Sequence, residues 1–411
     1  MKVAIADVER AAAIVAGHVA RTPTFPAPAL SALTGAEVFV KYENMQATGA
    51  FKDRGAIVRL ASLTEAEKRR GVIAMSAGNH AQAVALHARR MGVPATIVMP
   101  APSPIVKVEK TRGYGARVIL HGETLAECET RVRELIAAEG LVAVHPFDDP
   151  HVIAGQGTAT LEMLEDAPDL DALIVPVGGG GLIAGAAIVA RARRPSMQVI
   201  GAEARLYPSF WNALGQGDLP IGGPTLAEGI AVKNVGVLTL EIVRALVDRI
   251  ILVDEPQLET AVSAFATLQR TMAEGAGAAG LAALLAEPRA FAGKRVGLIL
   301  SGGNIDARLL AAVMVRELER GGRIVHIRVT APDRPGLLGV ITSTIGENGG
   351  NILEVSHRRL MLDVPAKGVS VDISMETQGL AHTQDILHAL ARHGLASRRL
   401  GRSGESEPAF A

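Results

Sequence analysis

Cysteine is almost absent: the 411-residue chain holds one, Cys128. No disulfide can form within the chain, and a reducing compartment, the cytoplasm, is expected. Aromatic residues are scarce, at 3%, so the cores must be aliphatic. Neither sign of charge is in excess, with 42 Lys and Arg against 42 Asp and Glu. That balance argues against a nucleic-acid or anionic-membrane partner, which would want a basic surplus. A continuous apolar helix of membrane length is missing too. The charge-free run Ala172 to Ala190, ALIVPVGGGGLIAGAAIVA, is broken by Pro176 and four consecutive glycines. It reads as a buried strand, a glycine loop and a buried helix. The N-terminal MKVAIADVERAAAIVAG carries Asp7, Glu9 and Arg10, which gives an amphipathic helix and not a signal peptide.

What is present is globular: 48% hydrophobic and 20% charged residues, over a length that suggests two to three units. From about residue 35 to 320, aliphatic runs alternate with helical segments. The runs are AEVFVKYE, GVIAMSA, PATIVMP, ARVILHG, ALIVPVG, QVIGAEA, IILVDE and RVGLILSGG. This alternation predicts a mostly parallel sheet covered on both faces, with ligands beyond the carboxyl ends of the strands. After RELERGGRI the pattern changes. It reads strand RIVHIRVTA, turn PDRPG, helix, strands NILEVSHRR and KGVSVDISME, helix, and a short strand near Leu400. That is a β-α-β-β-α-β unit. The expected division is a domain at 1–320, with a small lobe at about 50–150 inserted. Gly321 and Gly322 form the hinge, a second domain follows at 323–402, and a frayed tail occupies 403–411.

Four clusters follow predicted strands. In GAFKDRG, Lys52 sits among small residues that let a ligand approach the backbone closely. A buried lysine there would have a lowered pKa and could serve as an imine-forming nucleophile. In SAGNHAQAVA, Ser76, Gly78 and Asn79 suit a helix start, whose free N–H groups attract a carboxylate. In PVGGGGLIAG, Gly178 to Gly181 can wrap an anion ahead of another helix start. The loop lacks the Walker lysine and the acidic residue of a clean dinucleotide site. In LILSGGN, a strand delivers Ser301 into a glycine turn. An amine, a carboxylate site, a phosphate cup and a neutral hydroxyl together match the needs of pyridoxal phosphate.

At these residues the sequence resembles the fold-type II (tryptophan-synthase-β-like) pyridoxal-phosphate enzymes, in the threonine dehydratase and serine racemase branch. The shared pieces are ENMQATGAFKDRGA, SAGNHAQAVA, HPFDDPHVIAGQGT, VPVGGGGLIAG, LAEGIAVK, EGAGAAGLAAL and LSGGN, spanning residues 40 to 304. The resemblance implies two parallel-sheet lobes and a lyase that releases ammonia from threonine, and from serine. It makes Lys52 the cofactor-holding, proton-shuttling lysine and Phe51 the residue packed beside the ring. Asn79 would bond the ring hydroxyl, and Ser301 would meet the ring nitrogen. Gly178, Gly179, Gly180, Gly181 and Leu182 would bind the phosphate. Ser76, Ala77, Gly78 and His80 would line the substrate carboxylate, with Ser76 also catalytic. A serine at the ring nitrogen favours prompt β-elimination over a long-lived carbanion. Ala77 stands where the racemases carry a hydroxyl, so racemisation is disfavoured. Glu203 matches the first carboxylate of the family's cation site, but nothing near Ser209 supplies the second, and no metal is expected. Dehydration of another β-hydroxy amino acid such as 3-hydroxyaspartate, serine racemisation, and a catalytically silent amino-acid sensor are the alternatives.

The last 80 or so residues resemble an ACT domain, a ferredoxin-like α+β sensing module. The matching residues are VTAPDRPGLLGVI and GGNILEVSHRR. The resemblance implies an amino-acid effector, isoleucine or valine first, bound near Asp333, Arg334, Pro335 and Gly336, with Asn351, at an interface between paired modules. It also implies a homo-oligomer. Assembly alone is the other role open to this module.

Overall fold

The computed structural model describes residues 3–358 and 368–400; the tail expected at 403–411 lies outside them. The chain divides into two compact units, Met1–Asp306 and Ala307–Ala411. The division precedes the helix Ala307–Arg320 instead of following it at Gly321 and Gly322. That helix is tied to the second unit: Arg323 N–H donates to Leu318 O at 2.8 Å, and His326 Nε2 lies 3.3 Å from Glu319 Oε1.

The strands of the first unit are β1 (Thr24–Pro26), β2 (Glu37–Tyr42), β3 (Val72–Met75), β4 (Ala95–Met99), β5 (Arg117–Leu120), β6 (Val142–Ala143), β7 (Ala172–Pro176), β8 (Gln198–Ala204), β9 (Arg249–Val253) and β10 (Arg295–Leu300). They form two sheets, one lobe each. The larger runs β1-β2-β10-β7-β8-β9 and the smaller runs β5-β4-β3-β6. Every pairing is parallel except β1 with β2. All eight aliphatic runs form strands. The short β1 and β6 were not legible, since two or three residues carry no periodicity.

Strands β4 and β7 are buried along their whole length, as expected of parallel strands covered on both faces. The charge-free run resolves into β7, a glycine turn and the helix Gly181–Arg193, buried from Gly181 to Ala190. The helix Gly275–Ala286 is buried from Gly275 to Leu284; apolar on every side, it must lie inside. No described helix is long and apolar enough to cross a membrane.

A charged cluster around Arg54 lies within the aliphatic core of this unit. Arg54 is fully buried. Its Nε meets Glu43 Oε2 at 2.7 Å and its Nη1 meets Glu162 Oε1 at 2.7 Å. Lys41 Nζ reaches Glu162 at 2.7 Å and Thr22 O at 2.6 Å. Pairing this full offsets the cost of taking these charges out of water. Arg54 is two residues from Lys52, so the cluster anchors the helix Lys52–Ala61 that Lys52 opens.

The second unit contains β11 (Ile324–Pro332), β12 (Asn351–Arg358), β13 (Gly368–Glu376) and β14 (Ala396–Arg399). They form an antiparallel sheet in the order β12-β13-β11-β14. The helices Leu337–Glu347 and Leu380–Arg392 complete the expected β-α-β-β-α-β order. Burial alternates along β11, which marks a sheet covered on one face. Its core is separate and aliphatic, drawn from both helices and β11 and β13.

Candidate active site

Two backbone segments bring the ends of the sequence motifs together. Phe51 N–H donates to Ser301 O at 3.0 Å and Gly303 N–H donates to Gly49 O at 2.9 Å, while Ala50 and Gly302 form an antiparallel bridge. This seam sets the start of the Lys52 helix beside the turn after β10, so Lys52 and Ser301 become neighbours across 249 residues of chain.

The Lys52 ammonium donates to Pro146 O at 2.8 Å and lies 5.0 Å from the Phe51 ring centroid. Burial pushes its pKa down to about 8, with the charge of Glu274 acting against the shift. No carboxylate bonds it directly. Such an amine is free to a useful extent near neutrality.

The next residue along, Phe147, shapes the glycine loop. Its ring occupies the space a side chain at Gly179 would need: a Cβ there would fall 2.1 Å from Cδ1. Gly180 has φ +90°, and its Cβ would fall 2.4 Å from Phe210 Cζ. The loop is therefore glycine by necessity, at two positions for two reasons. The Thr239 hydroxyl donates to Gly179 O at 2.8 Å, which occupies that carbonyl. The N–H groups at the start of the helix Gly181–Arg193 have no partners within the helix. A cradle with no room for side chains, N–H groups at a helix start and a half-buried amine with a lowered pKa fit a phosphate-bearing aldehyde cofactor.

The SAGNH segment follows β3, and Asn79 opens the helix Asn79–Arg90. Gly78 N–H donates to Ser76 Oγ at 3.1 Å, leaving the hydroxyl hydrogen of Ser76 to give. His80 differs from expectation. Its ring is buried and Nε2 meets Val144 O at 2.9 Å. Burial, with the charge of Lys52, pushes its pKa down to about 3. The ring is neutral and already engaged, so any hold on a carboxylate there comes from the helix-start N–H groups and Ser76.

Four groups at this site were not singled out in the sequence. Pro146 supplies the carbonyl that holds Lys52. Glu274 accepts from Asn79 Nδ2 at 2.7 Å, and burial raises its pKa to about 7. Asn304 donates through Nδ2 to Asn79 Oδ1 at 2.8 Å and to Thr48 O at 2.7 Å. Lys110 donates to Asn304 Oδ1 at 2.9 Å. Glu274 could have been suspected, as a lone acid heading the otherwise uncharged run GAGAAGLAALLA. Lys110 carries no such signal.

Glu203 accepts from the N–H groups of Phe210 at 2.7 Å and Trp211 at 3.0 Å. The Ser209 hydroxyl is turned to Val232 O at 2.5 Å. Glu203 thus ties a helix start, and among the described residues no group of three or more His, Cys, Asp or Glu could hold a metal ion.

In the second unit, Asp333, Arg334 and Gly336 lie in the turn after β11, but Asn351 does not join them. The register pairs Glu376 with both Ile324 and Asn351, and Gly368 with Pro332. Asn351 is therefore at the opposite end of the sheet, roughly 25–30 Å away at the usual strand rise. The cause is topological: the helix Leu337–Glu347 carries the chain back to the starting end of β11. Asn351 Nδ2 instead donates to Glu376 Oε2 at 2.8 Å.

Residues 15–302 match the model of the pyridoxal-phosphate dependent enzyme family. The chain belongs to this family. Residues 325–394 match the ACT domain, so this pyridoxal-phosphate dependent enzyme carries an ACT domain as its second unit. It is 41% identical to an L-threonine ammonia-lyase of Thermotoga maritima over 401 residues, which cover 97% of this chain and 100% of that protein. A processed threonine deaminase isoform from Solanum lycopersicum has a similar structure. Its TM-score is 0.72 at 34% identity, covering 76% of this chain and 86% of that one. Maize serine racemase matches as well, with a TM-score of 0.72 at 35% identity, covering 78% of this chain and 99% of that one. The fold is thus shared by deaminases and racemases alike, and the choice between them falls to individual residues.

Proposed function

We propose that this enzyme is an ammonia-lyase that converts L-threonine to 2-oxobutanoate and ammonia, and L-serine to pyruvate and ammonia. The observation that carries the reading is Lys52, a half-buried amine with a pKa of about 8, held by a carbonyl and by no carboxylate beside a side-chain-free cradle. The near-full-length likeness to a threonine ammonia-lyase supports the choice of substrate.

Lys52 would hold the cofactor covalently, Gly178 to Gly181 and Leu182 its phosphate, Asn79 its ring oxygen and Ser301 its ring nitrogen, with Phe51 packed beside the ring. Bound pyridoxal phosphate supplies an electron-withdrawing system next to the substrate's α-carbon. The residues do the rest. The helix-start N–H groups near Gly78 and the Ser76 hydroxyl orient the carboxylate. The freed Lys52 amine takes the α-proton, being uncharged to a useful extent near neutral pH. The β-hydroxyl leaves as water on taking up the proton that Lys52 removed, and the enamine tautomerises and is hydrolysed by a second water to the 2-oxo acid and ammonia. Ala77 has no proton to return to the opposite face, which favours elimination over racemisation.

The test is a 2-oxo acid assay with L-threonine, L-serine and 3-hydroxyaspartate, with D-serine measured in parallel. The reading expects 2-oxobutanoate from threonine, no D-serine, and a loss of about three orders of magnitude or more in Lys52→Ala. D-serine as the main product would replace it with a racemase. Activity on 3-hydroxyaspartate alone would change the substrate.

For the second unit we propose amino-acid sensing. The separation of Asn351 from the Asp333–Gly336 turn within one copy fits a ligand held between two copies, and hence a homo-oligomer. The single, buried cysteine fits a cytoplasmic setting.

A further inference from the structure

Lys110, Asn304, Asn79 and Glu274 form one chain of hydrogen bonds. Lys110 Nζ gives to Asn304 Oδ1 at 2.9 Å, Asn304 Nδ2 gives to Asn79 Oδ1 at 2.8 Å, and Asn79 Nδ2 gives to Glu274 Oε1 at 2.7 Å. The chain alternates between the lobes. Lys110 lies on the helix Ile105–Gly113 and Asn79 on the helix Asn79–Arg90, both packed with the smaller sheet. Asn304 follows β10 of the larger sheet, and Glu274 precedes the buried helix Gly275–Ala286. All three bonds therefore cross from one lobe to the other.

The chain also has a fixed direction. An ammonium can only donate, so Lys110 must face the oxygen of the Asn304 amide. The carbonyl of Thr48 can only accept, and Asn304 Nδ2 meets it at 2.7 Å. These two neighbours leave the Asn304 amide one orientation. Its second N–H then points at Asn79, which must turn its oxygen that way and its NH2 group toward Glu274. A carboxyl oxygen of Glu274 accepts in either protonation state. Every polar position on the two amides is then assigned except one N–H of Asn79.

The surrounding backbone leaves room for this arrangement and little else. A Cβ on Gly49 would fall 2.8 Å from Asn304 Oδ1, and one on Gly302 would fall 2.4 Å from Glu274 Oε1 and 3.2 Å from Asn79 Nδ2.

We propose that Lys110, Asn304 and Glu274 are positioning residues that fix the direction of the Asn79 amide across the two lobes, so that it offers an N–H, and not its oxygen, to the ring oxygen of the cofactor. The inference rests on the role proposed above for Asn79. It makes a surface lysine of the smaller lobe part of how the cofactor is held.

The experiment uses the full-length chain, stripped of cofactor and titrated with pyridoxal phosphate while the visible band and the dissociation constant are followed. Asn304→Asp keeps the shape but removes the donors, which reverses the chain. It is expected to weaken cofactor binding about 10-fold and to shift the band. Lys110 is exposed, so Lys110→Met tests the same chain without disturbing a core; it should weaken binding about 2- to 10-fold, and Lys110→Arg should restore it. Glu274→Gln keeps an acceptor and should retain the affinity that Glu274→Leu loses. Wild-type affinity and band in both Asn304→Asp and Lys110→Met would overturn the proposal. So would a Glu274→Gln protein with unchanged band and affinity but no turnover, since Glu274 would then be a proton-transfer group. A wild-type chain with no visible band, or a Lys52→Ala chain that keeps it, would instead defeat the reading of the cofactor site.

Discussion

Lys52 is an ordinary residue type in an unusual place. Lysine is normally exposed and charged; here burial draws its pKa to about 8, against the opposing pull of Glu274. The fraction of free amine therefore rises as pH climbs through about 8. Capture of pyridoxal phosphate by the cofactor-free protein should accelerate over that interval and level off above it. Stopped-flow absorbance at a series of pH values checks this; a rate still rising steeply between pH 9 and 11 would mean an unperturbed lysine. His80 titrates in the opposite sense to a paired histidine. It is neutral in the fold down to about pH 3, whereas an unfolded chain protonates it near its ordinary 6.5. Between those values the unfolded state binds the extra proton, so stability is lost as pH falls below about 6.5. Replacing His80 with Gln should flatten the dependence of unfolding free energy on pH between about 3 and 6.5, read by urea titration.

The elements show which parts of the site were legible. Lys52, Asn79, the four glycines and Ser301 stood out because each follows an aliphatic run at a turn of small residues, the signature of a strand delivering a ligand-binding loop. Parallel pairing sets the ends of β7 and β10 side by side in the larger sheet, and the bonds of Asn79 to Glu274 and Asn304 bring the turn after β3 of the smaller sheet to them. Glu274 and Asn304 lie at the ends of glycine-rich motifs and are partly legible there, but their roles depend on which side chain faces which across the lobes. Pro146 acts through its carbonyl, and a backbone carbonyl is the same at every residue. Asn351 and the β11 turn share one motif pair in the sequence, which suggests a common site. The crossover helix that separates them is a matter of topology that residue types do not encode. At this scale the buried cluster around Arg54 carries a prediction. Arg54→Leu leaves the fully buried Glu43 without its main partner. It should destabilise the first unit by about 3–5 kcal/mol, measured by denaturant unfolding, and so loosen the helix that Lys52 opens.

The molecule as a whole joins a two-lobed pyridoxal-phosphate unit to an ACT unit with its own core. Since each has a separate hydrophobic cluster, a chain ending at Asp306 should fold and keep its turnover of threonine while losing any response to amino-acid effectors. Steady-state assays with and without isoleucine or valine on both lengths would show it; an insoluble or inactive short chain would mean that the second unit is required for the fold. The reading of the whole enzyme nevertheless turns on one covalent bond. The most direct test is borohydride reduction of the cofactor-loaded protein, followed by proteolysis and mass spectrometry. The pyridoxyl phosphate adduct should appear on the peptide containing Lys52 and on no other lysine. An adduct on a different lysine, or none, would contradict the account.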